Sequence, residues 1–139
     1  MPRSEASPLA LPTLLAVFVG GVAGTTLRLT FDALIPSGAF PFSTLAINTI
    51  GSFVLGVLVG RLWPVAPGWL HAGLGVGLLG TFTTFSAIMV SLVQFSVVQD
   101  WVVGGIYLVS TLVLGFAAAA LGIRLGAPGS TPAIDEVTE

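Results

Sequence analysis

The sequence has no cysteine and no lysine, and its charged side chains amount to four arginines and six acidic residues among 139. The lack of cysteine excludes disulfides, thiolate catalysis and Cys-ligated metal sites. The charge content is roughly a quarter to a third of what a soluble domain uses to cover its surface, which excludes an ordinary water-soluble enzyme. A net charge of −2 without basic clusters argues against nucleic acid as a partner. There is no nucleophile–base pair, no phosphate-binding glycine loop and no HExxH pattern, so the chain is read as a non-enzyme.

What fills the chain instead is apolar, 55% of it hydrophobic. Arg3, Glu5, Asp135, Glu136 and Glu139 are terminal, leaving Arg28, Asp32, Arg61, Asp100 and Arg124 for the body. Between them run the uncharged stretches Ala6–Leu27, Ala33–Gly60, Leu62–Gln99 and Trp101–Ile123. Each can cross a bilayer core of about 30 Å, which takes roughly 20 helical residues. The pattern predicts an all-α, multi-pass protein of the cell membrane. Four transmembrane helices occupy 9–125, between an N-terminal extension over 1–8 and a disordered tail over 126–139.

The first helix, Leu9–Leu29, is read as retained rather than cleaved as a signal peptide, because Glu5 precedes it and the apolar stretch is too long. Asp32 and Pro36-Ser37-Gly38 mark a turn, and Pro41 suits the first position of a second helix, Pro41–Leu62. Arg61, Trp63, Pro64, Pro67 and Trp69 form the next turn at the membrane surface. The third segment, Leu70–Val98, is too long for one straight span and is interrupted by Gly73, Gly75, Gly77 and Gly80, followed by Thr81 to Ser86. Asp100 and Trp101 precede the fourth helix, Val102–Arg124. Arg3, Arg61 and Arg124 fall on one side and only Arg28 on the other, which puts both termini in the cytoplasm. With 18 glycines, close helix packing is expected, as in Gly20-Gly21-x-x-Gly24, Gly51-x4-Gly56-x3-Gly60 and Gly73-x-Gly75-x-Gly77.

Chemistry is sought among polar groups at membrane depth. Asn48 lies mid-span and must find partners, either in an interhelical hydrogen bond or in a pore. Gly80-Thr81-Phe82-Thr83-Thr84-Phe85-Ser86 crowds hydroxyls and glycine where free backbone groups are tolerated only when buried or lining a cavity. Such interruptions often bind ions, with a plain kink as the alternative. Arg28 either snorkels, neutralises helix carbonyls or attracts anions to a vestibule, and Asp32 four residues on can pair with it. His71 is placed at the interface and makes no metal site alone. No carboxylate, lysine or histidine is expected inside a span, which removes the titrating group of a proton-coupled transporter. The remaining picture is a passive conductor.

Gly20-Gly21-Val22-Ala23-Gly24-Thr25-Thr26-Leu27-Arg28, Ser43-Thr44-Leu45-Ala46-Ile47-Asn48-Thr49-Ile50-Gly51-Ser52-Phe53 and Gly77-Leu78-Leu79-Gly80-Thr81-Phe82-Thr83-Thr84-Phe85-Ser86 resemble the three signatures of the CrcB/Fluc fluoride channels. They stand in order with compatible spacing, and Tyr107 and Gly115 fit the fourth helix. The resemblance implies a four-helix subunit that pairs into an antiparallel dimer, exports fluoride passively to lower its toxicity, and holds a structural sodium ion. It implies Asn48 as pore amide, Phe85 as the first ring of a phenylalanine box, Ser86 in a hydroxyl track, and Tyr107 and Thr111 along the path. The carbonyls of Gly80 and Thr83 would hold sodium, and Arg28 would be the arginine at the end of the first helix.

The family repeats phenylalanine three residues after the first, whereas this chain reads Phe85-Ser86-Ala87-Ile88, so Ile88 takes the place of the second ring. A rival register puts Phe82 and Phe85 in the box, with Thr83 and Thr84 between them. The first is preferred because it accommodates Gly77, Gly80, Thr83, Thr84 and Gly115 better. A missing ring and an unbalanced arginine distribution point to a heterodimer with a paralogue rather than a homodimer. A small four-helix multidrug transporter, the other class of this size, needs a membrane-embedded glutamate that is absent here, and a non-conducting membrane subunit would leave Asn48 and the threonine cluster dispensable. The heterodimer expectation predicts little fluoride efflux from liposomes containing this chain alone. Fast, selective efflux, with chloride as control, counts against an obligate partner.

Overall fold

The computed structural model describes residues 10–35 and 38–127. The extension over 1–8, Pro36, Ser37 and residues 128–139 of the expected tail lie outside them. The described residues form helices without strands, arranged as four hydrophobic units long enough to cross a membrane. We label the helices α1 (Leu11–Leu34), α2 (Phe42–Leu62), α3 (residues 68–82), α4 (Ser86–Val97) and α5 (Trp101–Gly126). Helices α3 and α4 belong to one hydrophobic unit, Gly68–Val97.

The boundaries correct several expectations. Helix α1 continues five residues past Leu29, through Asp32 to Leu34, so Asp32 is helical like Arg28 rather than a turn residue. The two charges sit four residues apart on one face, where the Arg28 Nε–Asp32 Oδ2 distance is 3.9 Å. Pro41 precedes the second helix instead of beginning it, because its ψ of 65° is not helical. His71, by contrast, lies where a helix start was expected, in the first turn of α3. Gly73, Gly75, Gly77 and Gly80 do not interrupt α3. They lie in wide helical turns over Ala72–Leu79 and at the following residue, with the Gly80 N–H reaching back to the Gly75 carbonyl. Gly126, assigned to the tail, is the last residue of α5.

Glycine decides how these helices pack. Helix α1 lies along α3, and α2 lies along α5. Gly20 and Gly24 of α1 face the backbone of α3, and Gly73 and Gly77 of α3 face α1 in return. Gly56 and Gly60 of α2 and Gly122 and Gly126 of α5 repeat the arrangement. All four pairs have the four-residue spacing that lets backbones approach where lipid gives no hydrophobic drive. The Gly122–Gly126 pair completes the second interface, and it explains why Gly126 remains helical.

Two small cores stand beside these seams. Ile47, Leu79 and Phe82 form one, and Ile88, Phe95 and Tyr107 form the other. Large side chains such as Phe18, Val113 and Leu125 face outward, a cost in water but none in lipid. The turn between α4 and α5 uses Gln99 at φ 60°, with the Asp100 N–H bonded to the Phe95 carbonyl at 2.9 Å.

A Cβ on Gly77 would lie 2.7 Å from the Val17 carbonyl oxygen, while one on Gly68 would meet nothing within 4 Å. Gly77→Val is therefore expected to lose at least about 2 kcal/mol of stability through backbone overpacking. Thermal unfolding in detergent should show a clear drop for Gly77→Val and almost none for Gly68→Ala.

Candidate functional site

The residues singled out by their polarity converge where α3 stops. Thr83 leaves the helical conformation, with φ −77° and ψ 158°, and α4 starts at Ser86. The groups of this short segment find their partners in side chains. The Asn48 Nδ2 donates to the Thr84 carbonyl at 3.0 Å, and the Asn48 Oδ1 accepts from the Thr84 N–H at 2.8 Å. One carboxamide thus matches both polar groups of one residue, as a neighbouring strand would.

This pairing alters the local backbone. In an uninterrupted helix the Thr84 N–H would go to the Gly80 carbonyl and the Ala87 N–H to the Thr83 carbonyl. Instead the first goes to Asn48, and the second goes to the Thr84 Oγ1 at 3.2 Å. The Gly80 and Thr83 carbonyls thereby lose their helical partners. Thr84 also lies 3.1 Å from the Ser86 hydroxyl, so its side chain caps the start of α4. Gly51 allows this segment to approach α2, because a Cβ there would strike the Thr83 methyl group.

A groove of about 380 Å³ opens at this position. Asn48, Thr83, Thr84, Phe85, Ile88 and Thr111 all line it, bringing together six residues that sequence alone had scattered over three segments. Asn48 spends one N–H on Thr84, and its second finds no protein acceptor among the described residues. Phe85 is 70% exposed, and Phe116 of α5, which also lines the groove, is 74% exposed. The Thr111 hydroxyl donates to the Tyr107 carbonyl at 2.8 Å.

Other candidates lie elsewhere. Phe82 does not line the groove, since it is buried in the core with Ile47 and makes an edge-to-face contact with Phe31 at 5.7 Å. Ser86 is exposed and does not line it either. Tyr107 is fully buried one turn from Thr111, and its hydroxyl has no hydrogen-bond partner among the described residues. Gly80 is outside the groove wall as well. Arg28 stands apart, paired with Asp32, whose other oxygen accepts from the Ser43 hydroxyl. No cluster of acidic or histidine side chains that could hold a metal occurs among the described residues.

Sequence reasoning missed Ser52, Leu55, Leu112, Phe116 and Ala119, which complete the walls. Their signal was periodic: Thr111, Gly115 and Ala119 share one face of α5, and Asn48, Ser52 and Leu55 share one face of α2. Thr81, counted in the hydroxyl cluster, turns instead toward α1: its hydroxyl donates across to the Gly21 carbonyl at 3.0 Å and lies 2.8 Å from the Gly77 carbonyl of its own helix.

The profile of the family described as "CrcB-like protein, Camphor Resistance (CrcB)" matches residues 15–123. A Xylella fastidiosa protein named fluoride-specific ion channel FluC is 39% identical over 122 residues, covering 83% of this chain and 90% of the relative. A Xanthomonas euvesicatoria protein of the same name is 38% identical over 127 residues, with coverages of 86% and 94%. Fluoride-specific ion channel FluC 2 of Ligilactobacillus salivarius is 37% identical over 131 residues, with coverages of 90% and 96%. A helical membrane architecture, a family profile spanning most of the chain and relatives matched over nearly their full length agree: this chain belongs to the CrcB family.

Proposed function

We propose that the chain is a subunit of a fluoride-specific channel that lets fluoride leave the cell passively across the cytoplasmic membrane and so limits its toxicity. The observation that carries this reading is the Asn48 carboxamide, clamped onto the Thr84 backbone with one N–H directed to no acceptor among the described residues. Fluoride is small and strongly hydrated. A path for it must replace water by donors held in place, without a charge that would trap the ion. The spare amide hydrogen of Asn48, the Thr84 hydroxyl and the positive edge of the Phe85 ring supply such donors along one groove, and the Thr111 hydroxyl joins them by turning from the Tyr107 carbonyl to which it donates. Ile88 occupies the place of a second ring and provides an apolar wall without a ring edge.

The working assembly on this reading is an antiparallel dimer, a homodimer or a heterodimer with a paralogue. Two exposed aromatic rings beside a groove that contains polar groups support a second subunit as the cover. The interruption between Phe82 and Ser86 serves as a functional break in the third span. Its Gly80 and Thr83 carbonyls, stripped of their helical partners, fit a sodium ion, a hard cation that takes neutral oxygens. Bound sodium would supply positive charge close to the anion path. What the chain itself contributes is the Asn48–Thr84 pairing, which keeps the Gly80 oxygen free, and the bond from the Ala87 N–H to the Thr84 hydroxyl, which keeps the Thr83 oxygen free.

Three outcomes test this reading in liposomes with a fluoride electrode and chloride as the control anion. Asn48→Asp places a like charge at the donor and should lower fluoride efflux at least tenfold, about 1.4 kcal/mol in the barrier. Unchanged efflux removes Asn48 from the path. Thr111→Val, which keeps the shape and removes the hydroxyl, should slow efflux with unchanged elution on size exclusion. Replacing sodium by N-methylglucamine during purification should weaken dimer recovery, and an unaltered dimer counts against the sodium site.

A further inference from the structure

Ser52, Thr83, Thr84 and Thr111 bring hydroxyl groups to the groove wall. A serine or threonine in a helix commonly gives its proton to the carbonyl one turn back. Thr83 donates in this way to the Leu79 carbonyl and Thr111 to the Tyr107 carbonyl, each at 2.8 Å. The Thr84 hydroxyl lies 3.1 Å from that of Ser86 and accepts from the Ala87 N–H at 3.2 Å. Ser52 differs from all of these. It is half-buried on the groove wall, and its hydroxyl makes no hydrogen bond among the described residues. That hydroxyl is open to the groove, unlike the unpaired but enclosed hydroxyl of the neighbouring Thr49.

Its neighbours put this free proton to use. Ser52 follows Asn48 by one turn of α2, a rise of about 6 Å, and both side chains line the groove. Asn48 itself keeps one N–H without an acceptor among the described residues. Helix α2 therefore presents two uncommitted donors in succession on one face. Opposite them α5 carries Gly115, where an added Cβ would stand 3.6 Å from the Ser52 hydroxyl oxygen. A side chain at this position would crowd the hydroxyl, whereas hydrogen leaves it accessible. Past Ser52 the wall continues with Leu55 and Ala119, whose side chains offer no donor. Ser52 is thus the last side-chain donor at that end of the groove.

We infer that the Ser52 hydroxyl is a second anion-binding donor, adjoining Asn48 along the path, and that Gly115 keeps it uncovered. The inference rests on the fluoride reading above and adds these two residues to it. A strongly hydrated anion gives up water only where other donors replace it, and it moves on only where a further site stands within reach and neither site holds it too firmly. A neutral hydroxyl one turn from a neutral amide meets both conditions. Because the Ser52 proton is not engaged by a carbonyl of its own helix, it can turn to the ion without breaking a bond within the protein.

Fluoride efflux from liposomes, measured over a range of internal fluoride concentrations, tests the assignment in the assembly that conducts, homodimer or heterodimer. Ser52→Ala should slow efflux at least about fivefold, the scale of one hydrogen bond to a charged group. It should also raise the fluoride concentration that gives half the maximal rate, with elution on size exclusion unchanged. Gly115→Ala leaves Ser52 in place and adds a methyl group only at ordinary contact distance. It should slow efflux in the same manner, while Gly105→Ala, which meets nothing within 4 Å, should not. Unchanged efflux in Ser52→Ala, or slower efflux with the half-maximal concentration unmoved, overturns the donor role. Should Ser52→Ala fail to assemble, Gly115→Ala decides, and unaltered efflux there overturns the inference. A wild-type chain that carries no fluoride, alone or with a paralogue, overturns the fluoride reading and Ser52 with it. A conducting wild type with an equally conducting Ser52→Ala overturns Ser52 alone.

Discussion

A carboxamide bound to a peptide group is the interaction on which the rest of this molecule depends. In hydrocarbon, an unpaired backbone N–H or carbonyl costs several kcal/mol, so a helix cannot simply stop in the middle of a membrane. Asn48 makes the stop possible by taking both polar groups of Thr84. From that follow the cap that Thr84 gives to α4 and the position of Phe85 on the groove wall. Gly51 completes the arrangement by allowing the interrupted segment to sit against α2. The pairing with Asn48 leaves the Gly80 carbonyl without its helical partner, and the Thr84 side chain does the same for Thr83 by taking the Ala87 N–H, so the stabilising contacts and the free oxygens both originate at Thr84.

The division between what could be read in the sequence and what could not has a physical basis. Scarcity of charge located the four spans, because the penalty for ions in lipid leaves an unmistakable mark on composition. Asn48 and the threonine cluster stood out for the same reason. Helix ends were less legible. Arg28 and Asp32 looked like punctuation, but a pair of opposite charges on one helical face can extend a helix toward the surface. Glycine was ambiguous: the series from Gly73 to Gly80 suggested an interruption, whereas these residues provide backbone proximity to α1 and remain helical. Only the three-dimensional partner distinguishes a glycine that breaks from one that packs. The choice between Ile88 and Phe82 as the companion of Phe85 was of the same kind, since spacing alone does not tell that Phe82 sits in the core while Phe85 and Ile88 line the groove.

The surface inverts the usual logic of burial. Few side chains are fully enclosed, and the largest of those are Tyr107 and Ile47. Cohesion therefore comes from the close approach of backbones along two seams, with lipid filling the role that an interior has in water. This leaves the polar groove and its exposed rings as the conspicuous surface, because an apolar exterior is ordinary at this depth while donors are not.

The two glycine seams also bear on biosynthesis. Helix α1 takes α3 as its partner and α2 takes α5, so neither intimate pair consists of successive spans. As the chain emerges, α2 must wait in the bilayer with Gly56 and Gly60 facing lipid until the final helix arrives with Gly122 and Gly126. Maturation is thus tied to completion of synthesis: a nascent chain stalled before α5 would hold one finished seam and one open one, a state that membrane quality control could distinguish from the complete subunit.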